Sequence, residues 1–590
     1  MLRETEQPLA RVGYVEKRHM ENPEVAQIFD EVADLLELQG ENPFRIRAYR
    51  RAAVTVRDLA EPLAKLIAKC PERLTELPGI AADLAGKITT IVKTGDLPLR
   101  QELRKKVPAG LRQLMTIPGC GPKRAMILHK KLKVNSIDDL RHAAAQHRIS
   151  KLKGFGAKTE ENIVKALDQL TATSQRMYFC DAQAYAEALV LHLKGCAGIG
   201  TIDVAGSYRR RKETVGDLDI LVTCRNSRKV MDRLAEFEGV SEVLARGKTK
   251  CSVRLRNGLQ LDLRVVPEPG YGAALVYFTG SKQHNILIRR MGQQRGLKIN
   301  EYGVFRGSRR VAGRTEEEVY RSVGLAWIPP ELREARNEIE LAREGRLPQL
   351  LQLDEVRGDL HMHTTATDGR SSIEEMIQAA KARGYKYIAI TDHSKRVTMA
   401  KGLDTKRLRQ HWKEIEKASS RIKGMTVLRG VELDILENGK LDLPDSVLAD
   451  ADWVVASIHY GQNQTEKQIT RRIVNAIHSP HVDAIGHPTG RLIGKRKPYA
   501  INLDEVLKGA ADYGCMLELN CQPSRLDLDE IALAAAKEHG IPIVLGTDAH
   551  STDELRFMEY GVYQARRAGL EASNIANTRS LAQFRHLLKQ

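Results

Sequence analysis

The chain has 590 residues and a formal net charge of +18, so it is long enough for about four domains of ~100 to 200 residues, and its surface favours an anionic partner, of which nucleic acid is the usual one. Its eight cysteines show no Cys-x-x-Cys pair and no framework spacing, which reads as reduced thiols inside a cell rather than a secreted disulfide scaffold. No apolar run approaches the ~20 residues that span a bilayer, and the N-terminus lacks an apolar signal segment; a soluble, cytoplasmic, monomeric protein without membrane contact is expected.

Residues 1–19 are polar and aperiodic and are expected to form a disordered tail, whereas a helical pattern begins after Met20 with Val25, Ile28, Phe29, Val32, Leu35 and Leu36. Three short turns follow, each ahead of a helical segment: Leu77-Pro78-Gly79-Ile80-Ala81, Ile117-Pro118-Gly119-Cys120-Gly121 and Leu152-Lys153-Gly154-Phe155-Gly156. They resemble helix-hairpin-helix modules, in which such a hairpin presents backbone N–H groups to one DNA phosphate. The resemblance implies phosphate contacts at Gly79, Gly119, Gly121, Gly154 and Gly156, with the first turn departing from the pattern at Ala81.

The next informative stretch is Gly206-Ser207-Tyr208-Arg209-Arg210-Arg211-Lys212-Glu213-Thr214-Val215-Gly216-Asp217-Leu218-Asp219-Ile220. Alternate residues of a strand share a face, which puts Asp217 and Asp219 together. Asp262 sits in a similar strand pattern, and three such carboxylates suit two hard divalent cations, Mg²⁺ or Mn²⁺. Paired ions of this kind clamp the attacking and leaving oxygens of phosphoryl transfer. The Gly-Ser turn and the run Arg209 to Lys212 supply a close backbone approach and positive charge for a triphosphate.

These residues resemble the palm of family X DNA polymerases, the group of DNA polymerase beta, and Tyr277-Phe278-Thr279-Gly280-Ser281 with Asn285, Arg289 and Asn300-Glu301-Tyr302-Gly303 extends the likeness. The resemblance implies that Ser207, Arg210 and Gly216 contact the β and γ phosphates and that Asp262 is also the base for the primer 3′ hydroxyl. Tyr277 to Gly280 would lie against the sugar, Lys282 beside the incoming base, Asn285 at its minor-groove edge and Arg289 on the template strand. Residues 20–92 resemble the small N-terminal domain of that family, in which a lysine at the position of Lys87 forms a Schiff base with an abasic sugar in some members. Asp83 stands here in place of a phosphate-binding lysine, so a solvated helix lysine is expected at Lys87.

Residues 331–353 read as a charged helix, Glu331 to Arg346, forming a linker. Eleven of the 17 histidines lie beyond it. Seven apolar runs alternate there with helical stretches, and most end in a candidate metal ligand: His361, His363 and Asp368, then His393, Glu432, His459, His487, and finally Asp548 with His550. Strand-helix alternation with ligands at C-terminal strand ends predicts an irregular seven-stranded barrel. Nine mixed imidazole and carboxylate ligands exceed what one or two ions need and point to three Mn²⁺ or Zn²⁺ ions.

The pattern His-x-His, Thr-Asp-His, Gly-Val-Glu, Ser-Ile-His, Gly-His-Pro and Thr-Asp-Ala-His resembles the PHP domain of polymerases and histidinol phosphatases. That likeness implies one ion on His361, His363, Glu432 and Asp548, a second on Asp368, His393 and His550, and a third on Glu432, His459 and His487. Arg525 and the basic loop Arg491 to Lys497 are candidates for gripping a phosphate backbone.

The expected organisation is a multidomain α+β and α/β chain. It runs from the tail, 1–19, through an N-terminal lyase-like helical domain, 20–92, and a helix-hairpin-helix domain, 93–173, to a nucleotidyltransferase palm, 174–265, and thumb, 266–330. The linker, 331–353, and a PHP domain, 354–590, complete it. The expected function is filling of short gaps in gapped or nicked double-stranded DNA with dNTPs during base excision repair. A PHP 3′–5′ exonuclease or phosphodiesterase would trim 3′ ends, and abasic-site incision is a further family activity. The alternative is a gap-binding scaffold whose PHP domain is a small-molecule phosphatase.

Overall fold

Contacts along the chain separate residues 1–171 from residues 172–590. The computed structural model describes residues 22–57, 59, 63–106, 114, 120, 122–152, 154–156, 159–164 and 176–589. The expectations for the tail and for Gly119 and Gly121 lie outside these residues.

In the first unit the helix Asn22–Leu38 buries Val25, Phe29, Val32 and Leu36 at i, i+4, i+7, i+11 spacing. It packs against Tyr49, Ala52, Ala53 and Val56 of the helix Pro43–Arg57. Gly79 and Gly154 have φ of 81° and 91°, the left-handed region that favours glycine. As the hairpin reading requires, helical segments follow both turns, Ala82–Thr94 after the first and 159–164 after the last.

The second unit begins with a five-stranded sheet in the order β2-β4-β7-β6-β5, flanked by a small pair, β1 (Met177–Tyr178) and β3 (Thr214–Val215). Its strands are β2 (Ile199–Val204), β4 (Asp217–Cys224), β5 (Val240–Arg246), β6 (Lys250–Leu255) and β7 (Gln260–Val265). Leu218, Ile220 and Val222 of β4 pack with Leu189, Leu193, Val230 and Leu234 from two covering helices. The opposite face of β4 is thereby left to its aspartates. Beyond the sheet, the helices Tyr271–Thr279, Lys282–Gln294 and Glu316–Ser322 surround an antiparallel sheet of β8 (Lys298–Asn300), β9 (Gly303–Arg306) and β10 (Arg309–Ala312). The Ser281 hydroxyl accepts from the His284 N–H and so sets the start of the second of these helices.

The helix expected over Glu331 to Arg346 does not form. A 3₁₀ turn spans Pro330–Leu332, and a six-residue helix, Glu338–Arg343, follows after a break. Ala335 has a φ of 60°, and the N–H groups of Ala335 and Arg336 donate to the Glu338 carboxylate at 2.8 and 2.7 Å instead of to helix carbonyls. Nor are the charges of the first half of this segment solvated, whereas Glu340, Arg343, Glu344 and Arg346 are exposed. Fully buried Arg333 forks onto Glu316 at 2.7 and 3.1 Å, and Glu334 accepts from Arg210 and Arg567, each at 3.1 Å.

The remaining strands form a parallel sheet in sequence order: β11 (Gly358–Asp359), β12 (Tyr387–Ile390), β13 (Thr426–Asp434), β14 (Trp453–Ser457), β15 (Ala484–Ile485), β16 (Met516–Asn520) and β17 (Ile543–Gly546). A parallel bridge between Met362 and Ala549 brings the first and last strands together and nearly closes the barrel. Alternate strand residues divide between two apolar clusters. Ile388, Val431, Leu517 and Leu545 meet the surrounding helices, whereas Tyr387, Leu428, Trp453, Val455, Met516 and Val544 gather with Phe584 from the C-terminal segment. Phe584 closes the end of the barrel where the strands start, which leaves the C-terminal strand ends for chemistry. Among the described residues no helix is long and apolar enough to cross a membrane.

Burial opposes the charge of Glu334, yet Arg567, Arg210 and Lys212 outweigh it and hold its pKa down at about 2, against an ordinary 4.5. A depressed folded-state pKa stabilises above the unfolded value and loses that stability as pH falls through the folded one, here a difference of about 3 kcal/mol. Glu334→Gln is therefore expected to lower the urea midpoint at pH 7, and the gap from wild type should narrow as pH falls from about 4.5 towards 2. A gap independent of pH would contradict this assignment.

Candidate metal centre and nucleotide cavity

The barrel brings all nine expected ligands to one end. His363, Asp368, His393 and His550 form one group, His361, His363 and Asp548 a second, and His393, Glu432 and His459 a third, the donor atoms within each lying within 4.8 Å of one another. His487 joins through its Nε2, 3.0 Å from Glu432 Oε1. His363 and His393 each fall in two of these groups, and their rings stack at 4.4 Å between centroids.

Glu432 is the hub. Its carboxylate oxygens lie 2.9 Å from His393, 3.2 Å from His459, 3.4 Å from His361 and 3.6 Å from His363. Burial opposes its charge, but His459, His393 and His361 outweigh it and hold its pKa well below the usual carboxylate range. Burial, then His393 and His550, push His363 down to about 4. His393 rises to about 10 against its own burial, because Glu432 and Asp368 face it.

The donors fit divalent cations. His361 Nε2, both ring nitrogens of His363 and His393 Nδ1 are buried without a hydrogen-bond partner among the described residues, a deficit that bound cations would remove. Hydrogen bonds at the other ring nitrogen set the tautomers. His361 Nδ1 donates to Glu518 at 2.6 Å and His459 Nδ1 to Asp434 at 3.0 Å, while His550 Nδ1 donates to the Asp548 carbonyl at 2.8 Å. Each such bond leaves Nε2 free for a cation.

Glu518 and Asp434 were not among the sequence candidates. Glu518 also accepts the His487 backbone N–H at 2.7 Å, and Asn520 donates to Asp548 at 3.1 Å. The available signal was alternation. Met516, Glu518 and Asn520 share one face of β16, so two polar residues follow Met516 into the barrel interior.

The second site lies against the five-stranded sheet. Asp219 and Asp262 are directly paired across parallel β4 and β7, with Asp217 two residues along. Burial and then Asp262 raise the pKa of Asp217; burial, then Asp217 and Asp262, push Asp219 up to about 7. Three carboxylates so close together, with burial and repulsion favouring protonation of Asp217 and Asp219, are a donor set that divalent cations would keep ionised. Gly206 holds the turn against them, since a Cβ there would sit 2.9 Å from Asp219 Oδ2.

A cavity of about 810 Å³ opens beside them, lined by Ser207, Arg210, Tyr277, Gly280, Lys282, Asn285 and Arg289 among others. Asn285 donates to the Tyr277 carbonyl at 2.6 Å, and Lys282 and Arg289 are exposed at the rim. Gly216 packs on Arg176, which also lines the cavity. Phe278, partly buried against Leu275 and its neighbours, also lies on the cavity wall, with the Arg264 guanidinium 4.6 Å from its ring centroid.

The basic run contributes less charge to the cavity than its sequence implies. Arg210 and Lys212 line it, but Arg209 forks onto Glu316 at 2.7 and 2.9 Å, and Arg211 stacks on Tyr563, 4.1 Å from the ring centroid. The loop from Arg491 differs likewise. Arg491 pairs with Glu213 at 2.7 Å and donates to the Leu526 carbonyl, leaving Lys495, Arg496 and Lys497 exposed. Arg525 Nε lies 3.9 Å from Asp548 Oδ2, at the edge of the histidine cluster.

In the first unit Lys87 lies 2.5 Å from Asp83 and 5.2 Å from the Tyr49 ring centroid. Burial opposes its charge, but Asp83 and Tyr49 outweigh it and raise its pKa. An amine held protonated in this way is the reverse of an activated nucleophile.

If Glu518 orients His361, Glu518→Ala should weaken Mn²⁺ binding by about 10- to 100-fold in a metal titration. Unchanged affinity in a folded variant would remove Glu518 from the centre.

Comparison with known proteins places five families along the chain. The helix-hairpin-helix domain family matches residues 20–97, the SAM-like helix-hairpin-helix tandem 111–169, the DNA polymerase beta palm 182–257, the DNA polymerase beta thumb 274–334 and the PHP domain 359–522. The chain is 38% identical over 575 residues to the DNA polymerase/3′-5′ exonuclease PolX of Bacillus subtilis, covering 97% of this chain and all of the relative. It is also 30% identical over 243 residues to a probable phosphatase of Thermoanaerobacter sp., covering 39% of this chain and 94% of the relative. The chain belongs to the family X DNA polymerases that carry a PHP domain, enzymes that join a nucleotidyltransferase to a phosphoesterase.

Proposed function

We propose that this chain fills short gaps in gapped or nicked DNA from dNTPs and trims 3′ ends by 3′–5′ hydrolysis, as a monomeric cytoplasmic enzyme of base excision repair. The observation that carries this reading is two separate donor sets in one compact unit, the paired aspartates of β4 and β7 and the nine-residue cluster around Glu432. The relative named as both polymerase and 3′-5′ exonuclease supports it over its full length.

In the polymerase site, Asp217, Asp219 and Asp262 would hold two Mg²⁺ or Mn²⁺ ions. In the barrel, the nine ligands would hold three Mn²⁺ or Zn²⁺ ions. When bound, these ions supply Lewis acidity and neutralise charge on a reacting phosphate.

The chain's own residues do the remaining work. Ser207, Arg210, Lys212 and the Gly216 backbone receive the β and γ phosphates, and Asp262 accepts the proton of the primer 3′ hydroxyl. Tyr277 to Gly280 pack against the sugar, Lys282 lies beside the incoming base, Asn285 faces its minor-groove edge and Arg289 meets the template. Arg525 grips the phosphate presented to the histidine cluster. In the first unit the turns at Gly79, Gly154 and Gly156 present N–H groups to DNA phosphates. Lys87 serves there as a charged helix residue paired with Asp83.

The phosphatase relatives, which match over most of their own length, favour a second reading in which the barrel hydrolyses a small phosphomonoester. Rates on histidinol phosphate and on a DNA 3′ end discriminate between the two.

The direct test follows a labelled primer on a one-nucleotide gap with a 5′ phosphate, in Mn²⁺, with and without dNTPs. Asp217→Ala/Asp219→Ala should lose extension and keep shortening, and His361→Ala/His363→Ala should do the reverse. Loss of both activities in either variant would contradict two independent centres.

A further inference from the structure

His361, His363 and Glu432 lie at the floor of the barrel centre, at 1%, 0% and 1% exposure, while Asp368 is exposed and His459 and His550 are half-buried at its mouth. For a phosphate of a base-paired 3′ end to reach those buried groups, its last nucleotides would have to leave the helix. Unstacking costs free energy, and nucleic-acid-binding proteins commonly meet that cost by inserting an apolar side chain between bases.

One apolar side chain of the barrel is placed for this. Among the described residues from Leu353 onward, three large apolar side chains are exposed: Leu353, Met399 and Tyr513. Leu353 and Tyr513 precede β11 and β16 and so belong to the closed end of the barrel. Met399 follows β12, six residues after the ligand His393, and is 91% exposed, the highest value among the exposed large apolar side chains.

The loop that carries Met399 is braced. Val397 and Ala400 are buried on either side of it. Val397 N–H donates to the Ser394 carbonyl at 3.2 Å, Gly402 N–H to the Val397 carbonyl at 3.0 Å, and Leu403 N–H to the His393 carbonyl at 2.8 Å. A Cβ on Gly402 would sit 2.0 Å from the Ser394 carbonyl oxygen, so the closure requires glycine there. The loop is also basic. Lys395 and Lys401 are exposed beside Met399, and Arg396 pairs with Glu437 and stacks on Tyr460, 4.9 Å from its ring centroid. An apolar tip flanked by exposed lysines beside an enclosed phosphoesterase centre matches a nucleic-acid strand end: bases for the methionine, phosphates for the lysines.

We propose that Met399 is a strand-separating wedge that unstacks the 3′-terminal base pair of DNA and so determines whether the barrel centre acts on paired ends. This inference rests on the 3′–5′ hydrolysis reading of that centre.

The test compares shortening of a single-stranded oligonucleotide with shortening of a fully paired 3′ end by wild type, Met399→Ala, Met399→Leu and Tyr513→Ala. Met399→Ala should lower the ratio of the paired to the single-stranded rate by about tenfold. Met399→Leu should restore the ratio, and Tyr513→Ala should leave it unchanged. An unaltered ratio in Met399→Ala would overturn the proposal.

A second readout does not depend on hydrolysis. With 2-aminopurine at the 3′ terminus and a phosphorothioate in the terminal linkage, binding of wild type should raise fluorescence as the pair opens. Met399→Ala should bind without that rise, and equal rises would sink the wedge. Failure of wild type to shorten even single strands, alongside a Met399-dependent rise, would refute the hydrolysis reading while sustaining the wedge.

Discussion

A carboxylate enclosed by imidazoles and cut off from water organises the C-terminal half of this protein. Five histidines lie within 3.6 Å of Glu432, and none of them belongs to its own strand, β13. Buried charge of this density is costly unless it is paired or ligates metal. The barrel resolves this by construction. Parallel strands in sequence order, all but β16, deliver between one and three candidate ligands each to the same end, and carboxylates such as Glu518 and Asp434 fix the rings from behind. The apolar plug at Phe584 keeps the other end closed, so the chemistry has one face on which to work.

The same economy of charge joins the barrel to the polymerase fold. Glu213, at the end of the basic run, is met by Arg491 and by Gln564. Glu530 of the barrel accepts from Arg567 at 2.7 Å and Arg336 at 3.3 Å and lies 3.5 Å from Lys212. The barrel therefore contributes directly to the wall of the nucleotide cavity, where Glu530 itself is a lining residue. These pairs are buried, so their value lies in the geometry they impose more than in net stability. In the basic run, Glu334 and Glu530 hold Arg210 and Lys212 in place, while Glu316 and Tyr563 take up Arg209 and Arg211.

Motifs carried by local spacing were legible in the sequence. The seven barrel strands follow from short apolar runs, and the nine ligands from their position at the ends of those runs. Asp217 and Asp219 follow from strand alternation, and their pairing with Asp262 required only one further strand. What escaped was decided by contacts distant in sequence. Glu518 looks like an ordinary strand glutamate until its ring partner, 157 residues away, is known. Glu331 to Arg346 has a helical composition, but Glu331, Arg333, Glu334 and Glu338 find partners distant in sequence that override helix propensity. Arg209, Arg211 and Arg491 read as phosphate-binding charges because nothing local reveals the glutamates and tyrosines that occupy them.

The central claim is that Glu432 sits at the middle of a multinuclear centre, and anomalous scattering tests it most directly. Crystals grown with Mn²⁺ and measured at the manganese edge should show three peaks at the C-terminal end of the barrel, with the Glu432 carboxylate touching at least one of them. A single peak, or peaks that leave Glu432 without a metal contact, would contradict the account.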